Sequence, residues 1–320
     1  MKKGDFMELL DSKKIASKWG VEVNSIKELS ERVTLITTKN GQDFILKKKG
    51  SIEHFKRELK LLNHLKQEGL PIQYPLQDNN KDYIVAFQGD NYCLYSFLEG
   101  TTYSSQDSLQ NSIIPQLYGQ AIATLNKAME NVNFEGEFES KDLYQMVYGF
   151  AIDRILKTDG RSQLGDIYQD LEGEFKKAVQ VLPKQLIHRD PHIHNFIWNK
   201  DKLEGVIDFD LVEVNVRIFD LCYCSTSVLS EVFSNEDLRN GWIHFVGNLV
   251  CQYHRYNRLT DEELESIWLV MLGIQTVFMA YFSNYKDIFE VNKAMFLWIF
   301  ENKLRLENEW QSGRNSCESS

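Results

Sequence analysis

The sequence predicts an α+β protein with two lobes: a small N-terminal lobe built on an antiparallel β-sheet with one helix, and a large, mostly helical C-terminal lobe. Short stretches of strand character, separated by turn residues, occupy residues 23–97. Apolar residues recur at helical spacing through most of the chain after residue 113. These two observations place the lobes at 1–99 and 100–310, followed by a polar tail at 311–320 that we expect to be disordered.

Three strands are predicted in residues 23–49. Residues 39–42 include an Asn-Gly pair, which is a strong signal for a hairpin turn. Side chains alternate along a strand, so Ile45 and Lys47 share one face and Lys48 lies on the other. Which lysine of this strand points toward a given face therefore depends on the strand register.

A helix and a second hairpin complete the predicted N-terminal lobe. Residues 52–67 carry apolar side chains at three- and four-residue intervals, as an amphipathic helix does, and Glu58 lies on this helix. Two strand-like segments, 83–87 and 92–97, follow on either side of a Gly-Asp-Asn turn.

The C-terminal lobe is predicted to contain seven helices. Thr260, followed by three acidic residues, is a good helix start because its hydroxyl can cap free backbone N–H groups. Six residues on these helices are candidates for lining a pocket, although packing in the core is the preferred explanation for each (Tyr223, Trp242, Tyr253, His254, Trp268, Tyr281). The predicted helices cover residues 113–129, 142–155, 167–181, 219–233, 236–256, 261–281 and 287–310.

Two short motifs carry the predicted chemistry. The first is His-Arg-Asp-Pro-His-Ile-His-Asn at residues 188–195, and the second is Ile-Asp-Phe-Asp at residues 207–210. Asp190 and Asn195 are five positions apart, the spacing of kinase catalytic loops, and Asp208 occupies the position of the metal-binding Asp in Asp-Phe-Gly. Phosphoryl transfer requires an aligned acceptor hydroxyl and metal ions that neutralise the phosphates. The motifs therefore predict a phosphotransferase.

These residues resemble the aminoglycoside phosphotransferase and choline kinase superfamily, which shares its fold core with protein kinases. Asp190, His192, Asn195, Asp208 and Asp210 match its motif positions, whereas Arg189 stands where Gly is usual. The resemblance implies a bilobal, protein-kinase-like fold. It also implies ATP or GTP as the phosphate donor, Mg²⁺ as the metal, and a small hydroxylated molecule as the acceptor.

The resemblance also assigns roles to individual residues. Asp190 would be the catalytic base, while Asn195 and Asp208 would bind the metal. Lys47 would contact the α- and β-phosphates and pair with Glu58, with Lys48 and Lys49 as competitors. The segment 96–100 resembles the hinge that binds the nucleobase, with Ser96 and Leu98 as its contacts, and Arg217 and Asp220 would brace the catalytic loop.

Two rival functions remain within this family resemblance. A catalytically silent, kinase-like binding or structural protein, of the type associated with spore coats, is favoured by the phosphate-covering segment 29–34, which has no glycine. Protein Ser/Thr phosphorylation is more distant. The chain lacks an Ala-Pro-Glu motif, and the path from Asp208 to Asp220 is too short for a peptide-docking segment.

A zinc hydrolase is a third alternative, because Asp190, His192 and His194 offer ligand atoms close together. Zinc sites need three or four defined protein ligands, and a His-x-His pair in a loop does not define the remaining ones. The sequence therefore favours a kinase loop over a zinc centre.

Composition excludes other classes of function. The formal net charge of −10 disfavours nucleic-acid binding, which requires a basic surface. No apolar run reaches the length of about 18 residues that a membrane span needs. The N-terminus lacks the apolar core of a signal peptide, and the five scattered cysteines argue against a disulfide framework. We therefore expect a cytoplasmic protein with no membrane partner; the oligomeric state is left open.

Overall fold

A computed structural model describes the backbone of residues 3–130, 132, 136–159 and 163–318, with side chains between residues 10 and 311. The chain forms two compact units. Unit 1 comprises Met1–Gly100 and Glu204–Asp210, and unit 2 comprises Thr101–Leu203 and Leu211–Ser320. The predicted α+β class is confirmed. The return of residues 204–210 to unit 1 is not part of the sequence prediction.

Unit 1 contains a five-stranded antiparallel sheet in the order β1-β2-β3-β5-β4. The predicted hairpin turn between the second and third strands is present, and Gly41 there has a positive φ of 81°. Helix α1 (Lys3–Ala16) and a single 3₁₀ turn precede the sheet. The strands are β1 (Val23–Ser30), β2 (Val33–Thr38), β3 (Asp43–Lys49), β4 (Val85–Phe87) and β5 (Asp90–Ser96).

The two faces of this sheet pack against different helices. Ile36, Phe44 and Leu94 pack with Ile15 of α1. Ile45 and Tyr95 on the opposite face pack with Phe55 of helix α2 (Ile52–Gln67). The Ser51 hydroxyl caps α2 by accepting the backbone N–H of His54, so α2 begins and ends where the apolar spacing predicts.

Unit 2 is mostly helical. Its helices include α3 (Ser105–Gln110), α4 (Ile113–Glu130), α5 (Leu143–Met146), α6 (Ile152–Asp159), α7 (Gln163–Val181), α8 (Phe219–Val232), α9 (Glu236–Tyr256), α10 (Asp261–Tyr281), α11 (Lys286–Glu301) and α12 (Lys303–Glu318).

Two of the predicted helices and the predicted tail differ from the structure. A π-helical turn over Val147–Ala151 interrupts the segment predicted as a helix at 142–155. The helix predicted at 287–310 ends at Glu301, and α12 begins after Asn302, whose side chain donates to the Trp298 carbonyl. Residues 311–318 continue α12 instead of forming a disordered tail, and residues 319–320 lie outside the described part.

Helix α10 has the predicted cap. Thr260 and Glu263 form a reciprocal capping box at its start. In the described part of the chain, α10 alone is long and apolar enough to span a membrane, but 83% of its most apolar window is buried inside the protein. Burial of this extent is typical of a core helix. Cys93, Cys222 and Cys224 are buried free thiols, as expected, whereas Cys251 is disulfide-bonded.

Short strands flank the catalytic motifs. In unit 2, β6 (Lys184–Ile187) leads into the first motif and pairs antiparallel with β9 (Glu213–Val216). Strand β7 (Phe196–Asn199) follows the motif. Strand β8 (Lys202–Val206) leads into the second motif and contains the point at which the chain passes from unit 2 to unit 1.

Candidate active site

The catalytic loop of unit 2 connects β6 to β7 and contains one 3₁₀ turn at Ile193–Asn195. Arg189 has a positive φ of 75°. This backbone conformation costs little for glycine and more for other residues, which explains why Gly is usual at this position. The Arg189 side chain offsets the cost with two contacts. Its Nε donates to Glu213 at 3.1 Å, and its guanidinium lies 4.9 Å from the centre of the Phe219 ring.

Asp220 fixes the backbone of this loop. Its carboxylate accepts the backbone N–H groups of His188 at 3.0 Å and Arg189 at 2.8 Å. Asn126 adds a third donor at 2.8 Å and is itself bound by the Tyr253 hydroxyl at 2.9 Å. Complete burial raises the pKa of Asp220 despite these donors. A network of this kind holds a loop in one conformation because each buried polar group depends on its neighbour.

Among the described residues, the Arg217 side chain makes no hydrogen bond to the catalytic loop. It binds Glu263 through two hydrogen bonds, one of them 2.8 Å long, and donates to Asn257 at 2.9 Å. Of the two residues predicted to brace the loop, Asp220 makes the contact. Arg217 instead connects the end of β9 to the start of α10.

Asp190 and Asn195 lie together in unit 2. The Asn195 amide nitrogen donates to the Asp190 carbonyl at 2.8 Å and to its carboxylate at 3.3 Å. The nitrogen of the Asn195 amide is therefore engaged in hydrogen bonds to Asp190, and the amide oxygen points elsewhere. Burial and the charge of the nearby Asp190 carboxylate raise the pKa of the Tyr223 hydroxyl. Asn195 thus holds Asp190 while leaving the carboxylate free capacity to accept hydrogen bonds.

His192, His194 and Glu231 form the cluster that most resembles a metal site in the described part of the chain. The Nε2 atoms of both histidines lie 3.3 and 3.2 Å from the same Glu231 oxygen. The Nδ1 atom of His192 accepts the backbone N–H of His194 at 3.3 Å, which leaves the proton of the neutral ring on Nε2. A protonated Nε2 donates to Glu231 and does not ligate a metal. The cluster is accordingly a set of hydrogen bonds, which disfavours the zinc alternative.

In unit 1, β3 places Lys47 and Lys49 on the same face because they are two residues apart. Lys49 reaches Glu58 on α2, with nitrogen–oxygen distances of 2.7 and 2.9 Å. It also binds Asp210 at 2.5 Å. Burial alone would lower the pKa of Lys49, but these two carboxylates outweigh it and raise the pKa. The partner of Glu58 is therefore Lys49, and the predicted pairing with Lys47 is wrong.

The strand geometry explains this correction. Lys49 is two residues closer than Lys47 to the start of α2, or roughly 6.6 Å along a strand. Glu58 lies on the second turn of α2, within reach of the nearer lysine. Lys48, on the other face, forms a surface ion pair with Asp90 at 2.7 Å.

Lys47 has a different environment. It is buried, and its ammonium lies 5.2 Å from the centre of the Tyr95 ring. Among the described residues, no carboxylate lies within ion-pair distance of it. Burial lowers the pKa of Lys47, and the charge of nearby Asp208 offsets the effect only in part. Lys47 is thus a buried cation that can gain from an added anion.

Asp208 and Asp210 flank Phe209 on the segment that returns to unit 1. Asp208 has a positive φ of 67°, which is uncommon for a residue with a side chain. Asp210 is bound by Lys49 and lies 3.6 Å from the Arg32 guanidinium. Burial would raise the pKa of Asp210, but Lys49 outweighs it, so the pKa is lowered. Lys47, Lys49, Glu58, Asp208 and Asp210 together form what we call the lysine cluster.

The glycine-free segment 29–34 is a tight connection between β1 and β2. Ser30 pairs with Val33, which leaves a two-residue turn. Arg32 lies in this turn, and its Nε donates to the Lys48 carbonyl at 3.3 Å. The segment thus presents a guanidinium next to the lysine cluster, whereas a glycine-rich loop would present bare backbone N–H groups.

Ser96 and Leu98 lie at the end of β5 in unit 1. The Ser96 carbonyl accepts the Gln73 side-chain amide at 3.4 Å. Leu98 packs over Gly205, where a Cβ atom would come within 2.5 Å of the leucine side chain. Their contact with a nucleobase stays a prediction.

A cavity of about 300 Å³ lies beside the catalytic loop within unit 2. His192 contributes to its wall from the loop, Tyr223 and Ser227 from α8, and Gln275 from α10. None of its described lining residues is Asp, Glu, Lys or Arg. Because the Asp190 charge acts on Tyr223 and His192 is two residues from Asp190, the cavity adjoins the predicted catalytic residue, and we call it the acceptor cavity.

Sequence reasoning missed several residues of these regions. Lys49 was only a competitor because strand alternation cannot separate two lysines on one face. Tyr223 was a candidate pocket residue for which core packing was the preferred explanation, and it lines the cavity. Gln275 was not singled out, yet it is a polar residue in a long apolar stretch of α10, and this pattern could have identified it.

Comparison with known proteins agrees with this chemistry. A homoserine kinase from Zymomonas mobilis subsp. mobilis is 25% identical, and the similarity covers 81% of this chain and 79% of that protein. An amicoumacin kinase solved with AMP-PNP and Ca²⁺ has a similar fold, with a TM-score of 0.68, 15% identity and coverage of 96% and 95% of the two chains. A microcompartment-associated aminopropanol kinase gives a TM-score of 0.67 at 13% identity, covering 93% of this chain and 98% of that one.

The fold and these comparisons define an ATP-dependent small-molecule kinase. The sequence model of the phosphotransferase enzyme family matches residues 22–248, well over half of the chain. The chain belongs to this phosphotransferase enzyme family.

Proposed function

We propose that this kinase transfers the γ-phosphoryl group of ATP or GTP to the hydroxyl of a small amino alcohol, with homoserine as the first candidate. The observation that carries the proposal is the catalytic loop, in which Asp220 fixes the backbone and Asn195 holds the Asp190 carboxylate. Homoserine is chosen because the relative with 25% identity is a homoserine kinase. A cavity of about 300 Å³ also suits a small acceptor better than a multi-ring aminoglycoside.

Asp190 acts on the acceptor in this proposal. Its carboxylate accepts or orients the hydroxyl proton as the oxygen attacks the phosphorus atom. General bases of this kind contribute roughly 10²- to 10⁴-fold to a rate. The hydrogen bonds from Asn195 hold the carboxylate, which lowers the entropy lost when the acceptor is aligned.

The residues assigned to magnesium fit that ion in donor type. Mg²⁺ prefers oxygen ligands, and Asn195 offers its amide oxygen because its amide nitrogen is already engaged with Asp190. Asp208 offers a carboxylate. When bound, magnesium neutralises charge on the phosphates.

Lys47 binds the nucleotide phosphates in this proposal, and Lys49 does not. Lys49 already has two carboxylate partners, whereas Lys47 is buried with no carboxylate within ion-pair distance in the described chain. Glu58 therefore acts indirectly, by holding Lys49 on the shared face of β3. Arg32 supplies an additional cation where a glycine-rich loop would present backbone N–H groups, and Ser96 and Leu98 contact the nucleobase.

The catalytically silent alternative is weakened by the lysine cluster and by the ordered catalytic loop. A binding protein has no need of a buried lysine without an anion, because burying an unpaired charge costs free energy. The glycine-free segment also no longer argues for inactivity, since its turn presents Arg32 instead of an empty loop.

The test is acceptor-dependent phosphate transfer. The purified chain is incubated with Mg²⁺ and either ATP or GTP, together with homoserine, aminopropanol or an aminoglycoside. Phosphorus NMR then detects a new phosphomonoester. We expect a product signal with homoserine that requires both Mg²⁺ and a nucleoside triphosphate. Absence of any acceptor phosphomonoester, with nucleotide left intact, would favour the silent alternative.

A further inference from the structure

We propose that Arg189 binds a carboxylate group of the acceptor, which narrows the acceptor class to small hydroxylated amino acids and hydroxy acids. This inference rests on the proposed function and concerns the part of the acceptor that does not react. Homoserine carries a carboxylate, and the described wall of the acceptor cavity contains no Lys or Arg that could bind it. Burial lowers the pKa of His192, so this wall residue supplies no cation at neutral pH either. In the catalytic loop, residues 188–195, the one Lys or Arg is Arg189.

Arg189 lies close to both the reacting position and the cavity. It directly precedes Asp190, and consecutive Cα atoms are roughly 3.8 Å apart. Its guanidinium is 4.9 Å from the centre of the Phe219 ring, and Phe219 stacks on Tyr223 of the cavity wall with 6.1 Å between the ring centres. A short carbon chain joins the hydroxyl and the carboxylate of homoserine, so a carboxylate bound at Arg189 leaves the hydroxyl near Asp190.

The Arg189 guanidinium keeps hydrogen-bond donors available. Its Nε donates to Glu213 at 3.1 Å, whereas Nη1 and Nη2 have no hydrogen-bond partner among the described residues. The side chain is 17% exposed, so a ligand can reach it. A guanidinium presents its N–H groups as a planar fork that matches the two oxygens of a carboxylate. The free part of Arg189 is therefore suited to an acidic group.

Glu213 fixes the direction of this fork before an acceptor binds. The Glu213 oxygen that accepts from Arg189 also accepts the Asn215 side-chain amide at 2.9 Å, and Asn215 is fully buried. A binding group that is already oriented loses less conformational entropy when its ligand arrives. Glu213 is thus a positioning residue, and Arg189 is the residue that contacts the acceptor.

The backbone at Arg189 also indicates a role for its side chain. Its φ of 75° is unfavourable for a residue with a Cβ atom, whereas a glycine would hold the same turn at little cost. Backbone strain of this kind is concentrated at functional sites. The turn alone does not require an arginine, but carboxylate binding beside Asp190 does.

The inference separates the candidate acceptors by charge. Homoserine and 4-hydroxybutyrate share the hydroxyl and the carboxylate, and 4-hydroxybutyrate lacks the amine. The compound 3-aminopropan-1-ol has the hydroxyl and an amine but no carboxylate. We expect the wild type to have a higher kcat/KM for the two carboxylates than for 3-aminopropan-1-ol.

The experiment measures kcat/KM for these three acceptors in the wild type and in Arg189→Gly, which suits the positive φ of the loop. The matched control is Lys200→Gly, which removes an exposed cation at another position with a positive φ, 52°. We expect Arg189→Gly to lower kcat/KM for both carboxylates by roughly 10- to 100-fold, mainly through KM, the range for a lost hydrogen bond to a charged group. The value for 3-aminopropan-1-ol should change less than about threefold, and Lys200→Gly should change none of the three.

A second variant guards against misfolding, because Arg189→Gly leaves Glu213 buried without its partner. The double variant Arg189→Gly/Glu213→Gln removes both charges and should show the same selective loss. An equal loss for all three acceptors would mean that Arg189 only supports the loop, and this result overturns the proposal. No loss for the carboxylates, or a wild type that prefers 3-aminopropan-1-ol, overturns it as well.

Failure of the proposed function looks different, because the wild type would then phosphorylate none of the three acceptors. In that case the change in Tm on adding 4-hydroxybutyrate decides the question, since binding to the folded state raises Tm. A rise in Tm for the wild type that is absent in Arg189→Gly supports carboxylate binding at Arg189. An equal rise in both proteins, or a rise in neither, contradicts it.

Discussion

The lysine cluster of unit 1 and the acceptor cavity of unit 2 are both buried polar regions, but they differ in charge. The lysine cluster gathers five ionisable side chains, whereas the described wall of the cavity contains no Asp, Glu, Lys or Arg. The first suits the binding of phosphates and metal, for which charge must be neutralised. The second suits the recognition of a small molecule by individual hydrogen bonds. The comparison suggests that the reaction depends on charged groups, whereas the cavity holds the uncharged part of the acceptor.

The largest expected effect on folding is at Lys49. Lys49→Met leaves Glu58 buried without its partner, and such a change costs about 3–5 kcal/mol of unfolding free energy. Urea denaturation measures this loss directly. Lys48→Met is the matched control on the exposed face of the same strand and should cost less than about 0.5 kcal/mol. Similar losses in the two variants would mean that the buried ion pair does not stabilise unit 1.

Within the lysine cluster, substitution of Lys47 should have a different effect from substitution of Lys49. Lys47→Met removes a buried cation with no carboxylate partner within ion-pair distance in the described chain, so stability should be unchanged or higher. Nucleotide affinity should fall by roughly 10- to 100-fold, the loss expected for a charge-assisted hydrogen bond. Calorimetric titration with Mg²⁺ and a non-hydrolysable nucleotide provides the measurement. If the dissociation constant does not change, Lys47 is not the phosphate-binding lysine.

In the acceptor cavity, a substitution should raise the stability of the protein, whereas Lys49→Met lowers it. Gln275→Leu replaces an unsatisfied buried oxygen with an apolar group of similar size, so the free energy of unfolding should rise by about 1 kcal/mol. Thermal or urea unfolding of the ligand-free protein gives the answer, and a clear loss of stability would indicate that Gln275 has a structural partner.

The smallest effect concerns pH. Because burial lowers the pKa of His192 below its ordinary 6.5, the folded state binds fewer protons than the unfolded state just below that pH. The stability contributed by neutral His192 is complete above pH 6.5 and is lost as pH falls through the folded pKa. Between pH 7.5 and 5.5 the wild type should lose more stability than His192→Gln, by less than about 1 kcal/mol. Equal losses in both would assign the pH dependence to other groups.

The sequence predicted the parts that depend on spacing along the chain. Helix α2 and the capped start of α10 follow from apolar periodicity and a capping residue. Asp190 and Asn195 are recognisable because five residues separate them in one loop, and Asp220 holds that loop as expected.

The features that could not be predicted from the sequence depend on which segments lie close together in space. Lys47 and Lys49 share a face, and only the position of α2 determines that Glu58 pairs with the second. The break at Asn302 was hidden because apolar spacing continues across it. Most of the cavity wall could not be predicted because it is made of neutral residues from three helices and a loop. Such residues look like ordinary core until their positions are known.

The most direct test of the central claim is the rate of phosphate transfer by Asp190→Ala. The account predicts that transfer to homoserine falls by at least roughly 10²- to 10⁴-fold, the contribution of a general base, while Tm and nucleotide affinity stay close to those of the wild type. Transfer by Asp190→Ala at the wild-type rate would contradict the assignment of this loop as the catalytic site.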